Sequence, residues 1–256
     1  MSLFIKIVRQ LAFYGAFILI WKFLFSLKIW PQYQFPSPEQ VVAVLRDGLY
    51  DQSLLVAILT SMKRLLLGYF VSVVLGIGLG LLIGKFKVLD ETMGSFFVGL
   101  QTLPSICWLP IATLWFGAGE KSVIFVVIIG SILSVAIATD SGIKNIQTIY
   151  LRVGRTMGAR GFKIFKEVIF PASFPSILIG LKQGWIFAWR SLMAAEMLYV
   201  SLGLGHLLSV GRELNDSSQI LAVMAVIVIL SILIDNLVFG LVERKVNRIW
   251  GAIGRS

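Results

Sequence analysis

The chain has 256 residues, of which 57% are hydrophobic and 14% charged, whereas soluble globular domains carry about 25% charged residues; with a mean hydropathy of +0.89, this excludes ordinary soluble enzymes. The 23 Lys+Arg against 13 Asp+Glu give a net charge of +10. These basic residues sit between long apolar runs, so the excess reads as a bias toward one membrane face, not as a nucleic-acid surface. One Cys (Cys107) and one His (His206) exclude a disulfide framework and leave too few ligands for a protein-only zinc site.

A helix crossing the hydrocarbon core needs about 20 mostly apolar residues. Six stretches qualify: 11–30, 65–84, 95–116, 122–139, 173–198 and 219–241. The first is too long for a cleavable signal, lacks a small-residue cleavage pattern and ends at Pro31, so it reads as a retained span. Within 31–60, Ser37 or Pro38 starts a short amphipathic helix. Its stripe is Val41, Val42, Val44, Leu45 and Leu49, with Arg46 and Asp47 opposite, as expected of a helix lying on the membrane surface. The second span carries Gly68, Ser72, Gly76, Gly80 and Gly84 every four residues, a smooth stripe for close helix packing. The run Gly76–Lys85 is not a phosphate loop, because Leu79 and Phe86 stand where Gly and Ser/Thr are needed. In the third span Pro104 and Pro110 bend the helix or leave carbonyls facing a cavity. The polar connection 140–172 separates spans four and five, and no soluble domain fits anywhere; the chain reads as one transmembrane domain over 1–256.

Lys and Arg counts near the membrane ends set the orientation. With a cytoplasmic N-terminus, the inside carries 14 of them: Lys6, Arg9, Lys85, Lys87, Lys144, Arg152, Arg155, Arg160, Lys163, Lys166, Arg244, Lys245, Arg248 and Arg255. The outside carries Lys28, Arg46, Lys121 and Arg212, joined at most by the boundary residues Lys63 and Arg64. Both termini and the 140–172 connection are therefore expected in the cytoplasm. No Ser-His-Asp set is visible, since His206 is the single histidine. Span carboxylates are limited to Glu196 and Asp235, a thin set for a proton-coupled carrier. Energy must then come from another subunit, or the protein is a passive pore.

The 140–172 connection is the most informative stretch. Two short helices, about 148–157 and 162–168, are expected around the breakers Gly158 and Gly161, with Pro171 and Pro175 opening span five. Gly158, nine residues, and then Val168-Ile169-Phe170-Pro171 match the frame E-A-A-x3-G-x9-I-x-L-P. Here the chain resembles the membrane permease subunits of bacterial ABC importers, although Arg152, Val153 and Gly154 occupy the E-A-A positions. Leu103-Pro104-Ser105-Ile106-Cys107-Trp108-Leu109-Pro110, Leu114-Trp115-Phe116-Gly117, Ala188–Leu198 and Gly203-Leu204-Gly205 extend the resemblance over roughly 35–250. They resemble the nitrate/sulfonate/taurine/bicarbonate branch, most of all its aliphatic-sulfonate permeases.

The resemblance implies an all-α, polytopic fold of the type I, methionine-importer-like class with about six spans in the bacterial plasma membrane. It also implies that this chain is not an enzyme and holds no cofactor, ATP and Mg being used by separate cytoplasmic ATPase subunits. A second permease subunit, identical in the expected homodimer, would complete the pathway, and an extracytoplasmic solute-binding protein would deliver the solute. Family positions for ATPase coupling fall on Arg152, Val153, Gly154, Arg155, Thr156, Met157, Gly158, Ala159 and Pro171. The stretch Ser201–Asp216 corresponds to the outward gate.

Candidate pathway residues are Gln101, Ser105 and Trp108 around the prolines of span three, and Gln183, Arg190 and Glu196 in span five. Lys182, Trp189 and Glu196 are seven apart and share a stripe, with Gln183 and Arg190 on the next. A guanidinium inside a span suits an anion pathway, because it offers two hydrogen bonds to an oxyanion. The competing reading is a structural tie between Arg190 and Glu196 or another carboxylate, although six residues is a poor spacing within one helix. Trp108 is open to a lipid-facing or packed position or to solute contact, the first two being favoured, and Cys107 reads as a small packing residue. Lys22 and Lys182 read as snorkelling groups, and Asp235 as a tie between spans.

Overall fold

The computed structural model describes residues 2–198 and 202–249, and within them every regular element is helical. Ser201 and Arg255 lie outside the described residues. In chain order the helices are α1 (Ser2–Ser26), α2 (Pro38–Tyr50), α3 (Ser53–Lys85), α4 (Lys87–Gln101), α5 (Ser105–Phe116), α6 (Glu120–Lys144), α7 (Thr148–Thr156), α8 (Phe162–Leu198), α9 (Leu204–Glu213) and α10 (Ser217–Val246). Five are long and apolar enough to cross a membrane, and a sixth crossing is counted if α4 and α5, bent by 102° at their junction, form one broken span. The expected third span is therefore not a straight helix. Pro104 has no N–H to continue the ladder and its ring restricts Leu103, so the helix stops at Gln101 and restarts at Ser105.

The chain divides into two compact units, Met1–Thr60 with Leu202–Leu230 and Ser61–Ser201 with Ser231–Ser256. In the first unit α2 begins on a reciprocal cap. The Gln40 N–H donates to Ser37 Oγ at 3.3 Å and the Ser37 N–H to Gln40 Oε1 at 2.9 Å, with Pro38 at the first helical position. Helix α1 ends four residues earlier than its apolar run, where Lys28 turns the chain at φ +48°. Trp21 Nε1 donates to the Pro36 carbonyl at 3.0 Å. Lys22 reaches Glu39 at 2.6 Å, and that hydrogen bond holds the Glu39 carboxyl down to about 2. Within 201–216 lies α9, whose Gly211 packs on Ile220. Asp216 caps the next helix by accepting from the N–H groups of Ser218 and Gln219.

The second unit is built around α6, the most buried span, with Val123, Val126, Val127, Val135 and Ala136 all inaccessible. One side of α6 receives the small-residue stripe of α3. A Cβ placed on Gly76 would lie 2.8 Å from Val135 Cβ, and one on Gly80 would lie 2.5 Å from the Ala136 carbonyl. Between them Ser72 Oγ bonds the Ile128 carbonyl at 3.1 Å and Ser131 Oγ at 2.7 Å. The other side of α6 meets α8, where Gly180 rests on Ala138 and Gly184 on Val135. Packing of this kind needs small residues because apolar side chains gain little from leaving lipid for protein. Many large apolar residues accordingly face outward, among them Phe70, Leu114, Ile179 and Leu237, while Leu65, Ile177, Trp185 and Leu192 are buried.

Helix α8 starts eleven residues before the expected fifth span, and Pro171 and Pro175 lie within it. A widened π-turn at Phe165–Ile169 immediately precedes Pro171, and such a turn re-routes the hydrogen bonds that a proline cannot complete. The second short helix of the 140–172 connection is thus the first two turns of α8. Lys182, expected to snorkel, bonds Asp235 at 3.1 Å and Glu243 at 3.3 Å, so Asp235 ties α10 to α8.

Replacing Gly80 by Leu puts a side chain against backbone that cannot yield, and overpacking of this kind costs about 1–3 kcal/mol. The melting temperature of the purified protein in detergent should fall accordingly. Gly78→Leu, where no atom lies within 4 Å, should leave it unchanged; equal effects would refute the α3–α6 contact.

Candidate functional site

The break between α4 and α5 opens a cavity of about 350 Å3 against α6 and α8. Four of the six expected pathway residues line it: Gln101 at the end of α4, Ser105 and Trp108 in the first turn of α5, and Arg190 on α8. The hydroxyls of Ser105 and Ser191 are bonded at 2.7 Å. Gly130 of α6 closes the same seam, because a Cβ there would fall onto the Ser191 hydroxyl. Arg190 lies 5.9 Å from the Phe187 ring centroid, a cation–π distance. Among the described residues Arg190 makes no ion pair. The expected tie between Arg190 and Glu196 is absent there. Cys107 is exposed and does not pack.

Gln183 is exposed and outside the cavity lining. Glu196 is also elsewhere: it is fully buried, accepting from Arg64 Nη1 at 2.9 Å and from Ser61 Oγ at 2.7 Å. Glu120, at the start of α6, approaches Arg64 Nε at 3.7 Å. Arg64 is thus no boundary residue but the buried partner of the one carboxylate in span five. Its signal was periodic, since Ser61 and Arg64 continue the stripe of Gly68 and Ser72 by steps of three and four. The pairing itself, across 132 positions, has no local signature.

A second ionic cluster lies at the opposite end of α6. Lys144 bonds Asp90 of α4 and Asp140, the latter at 2.6 Å. These three residues and Ser95 line a smaller cavity of about 250 Å3.

Beyond Lys144, α7 holds most of the expected coupling positions. The Ala159 N–H donates to the Gly154 carbonyl and the Gly158 N–H to Arg155, with Gly158 at φ +85°. This is a Schellman stop, which requires a left-handed residue at position 158 and so explains the glycine of the frame. Gly154 is buried where a Cβ would lie 2.8 Å from Val168 Cγ2, so the glycine lets α7 sit on the start of α8, not far from Pro171. Ala159 is buried as well, whereas Arg152, Arg155 and Thr156 are exposed. The apolar face of α7 has no cover: Ile149, Tyr150, Val153 (49% exposed) and Met157 (79% exposed) point away from the helix bundle.

Apolar spans, a largely apolar cavity carrying one arginine at a broken helix and a short uncovered helix between spans are the features of a polytopic membrane transport subunit. Residues 72–249 match the profile of the binding-protein-dependent transport system inner membrane component, and the chain belongs to that family. It is 29% identical to the nitrate import permease of Synechocystis sp. over 91% of this chain and 87% of that protein. Identity is 27% to the taurine transport system permease of Escherichia coli, covering 86% and 82%. It is also 27% to the putative aliphatic sulfonates transport permease of Bacillus subtilis, covering 90% and 83%. Among solved structures, the inward-facing MetNI methionine ABC transporter superposes with a TM-score of 0.67 at 20% identity, over 76% of this chain and 96% of that one. The fold is thus that of an ABC importer permease.

Removing one partner of a buried ion pair leaves an uncompensated charge and costs about 3–5 kcal/mol. Arg64→Ala should therefore lower the melting temperature far more than Arg190→Ala. The paired apolar replacement R64M/E196L should recover most of the loss. Equal melting of R64A and wild type would overturn the tie.

Proposed function

We propose that this chain is the pathway-forming subunit of an ATP-driven importer for a small oxyanion, with aliphatic sulfonate first among the branch's solutes, and that it performs no chemistry itself. The observation that carries the reading is the uncovered apolar face of α7, held by the Gly158 stop and flanked by Arg152 and Arg155. Val153 and Met157 would fill a groove on a cytoplasmic ATPase, and the two arginines would meet its acidic rim. Gly154 and Ala159 seat the helix on α8, so a push on α7 is delivered to the same helix that carries Arg190 to the cavity. The basic residues of the 140–172 connection support a cytoplasmic position for it and for both termini. A second copy of the permease and an external binding protein complete the assembly. ATP and Mg are used by the ATPase.

Nitrate, bicarbonate and taurine are the alternative solutes within the branch. An ATP-independent carrier or channel is the rival class, and the exposed docking face of α7 favours the importer over it. The protein should co-isolate with a phosphate-loop ATPase, and uptake by the complex should stop with vanadate. V153A/M157A should leave the permease folded and cut transport at least tenfold, with ATP hydrolysis no longer stimulated by loaded binding protein. Vanadate-resistant uptake by this chain alone would refute the importer assignment.

A further inference from the structure

The cavity at the α4–α5 break has a chemical character beyond general polarity. Its one charged lining residue is Arg190, and no Asp or Glu lines it. Arg190 and Gln101 are its amide and guanidinium donors, and neither makes a hydrogen bond to another described side chain. The Ser105 hydroxyl is already engaged with Ser191. The rest of the wall is largely apolar, with Leu100, Ile106, Trp108, Leu133 and Phe187. A guanidinium inside a span is costly until an anion or water meets it, and it grips oxyanions through two parallel N–H groups.

We infer that this cavity is itself a solute-selecting station, which takes a monoanionic oxyanion bearing an uncharged apolar tail and rejects the same headgroup when the tail carries an ammonium. The inference rests on the importer reading and names the chemistry of its pathway. The guanidinium and the Gln101 amide hold the oxyanion, while Leu100, Ile106 and Leu133 cover the tail. A bare trigonal or tetrahedral oxyanion has no carbon chain to cover Leu100, Ile106 and Leu133, so it forgoes the apolar part of the 350 Å3 cavity. An ammonium on the tail would meet apolar wall with no carboxylate to pair it, and giving up water against such a surface without a partner is disfavoured. Selection by the permease is thus added to whatever an external binding protein does.

The test uses the permease–ATPase complex in lipid nanodiscs, without nucleotide or binding protein, and radiolabelled butanesulfonate as the probe. Binding should be saturable. Competition by methane-, ethane-, propane- and butanesulfonate should strengthen roughly fourfold per methylene, as expected for burial of each CH2. Taurine should compete at least tenfold more weakly than ethanesulfonate, and nitrate more weakly than butanesulfonate. R190Q should weaken binding at least tenfold, and A194F, which fills the cavity while keeping the guanidinium, should do the same. Taurine equal to ethanesulfonate, a flat chain-length series, or R190Q binding like wild type would each overturn the station. The chain-length and taurine series need only the wild-type complex and decide the matter if R190Q fails to fold. Vanadate-sensitive uptake with no Arg190-dependent binding would sink the station and keep the importer. Arg190-dependent binding with vanadate-resistant uptake would sink the importer and keep the station.

Discussion

The second unit depends on how closely α3 and α8 approach α6. In lipid, apolar side chains have no water to escape, so helices are held by tight packing and by hydroxyl bonds between backbones. Gly76 and Gly80 bring α3 onto the α6 backbone, and Gly180 and Gly184 do the same for α8. Ser72 and Ser131 bond within the first seam, and Ser105 and Ser191 tie the start of α5 to α8. With three helices locked at close contact, the end of α5 rests on α6, where Ser122 Oγ donates to the Ala112 carbonyl, and the cavity lies at its start. The bulky residues excluded from the seams cover the outer surface.

Charges are distributed on the same logic. Arg64 and Glu196 are paired in the interior of the unit, Lys144 joins two carboxylates at the far end of α6, and Lys182 does so between α8 and α10. Arg190 stands apart from these pairs on the wall of the cavity. That contrast is the observation on which the proposed oxyanion station rests.

Much of this was legible in the sequence. Among the described residues, hydropathy located the five long apolar helices, because 20 apolar residues have few other uses, and the four-residue repeat in α3 revealed its packing face. The stop of α7 was legible because only a residue tolerant of positive φ can close a helix as Gly158 does. Long-range pairing was not: nothing local marks Arg64 as the partner of Glu196, and a charge near the edge of an apolar run looks like a boundary residue. The start of α8 was misjudged for another reason. Prolines usually open helices, and the π-turn that lets this helix run through Pro171 leaves no periodic trace. At Pro104 the break was visible, but its angle, which sets the cavity, depends on what the two halves pack against.

The π-turn at Phe165–Ile169 also works as a phase setting. Each α-helical residue advances the helix by about 100°, and a widened turn accommodates one residue more than the regular spiral would. Val168, on which α7 is seated, and Arg190, on the cavity wall, belong to the same rod. The extra residue fixes the azimuth between them. Excising one residue from that turn would rotate the seat of α7 by roughly a quarter of a revolution relative to the cavity face, while the helix on either side of the turn kept its own register.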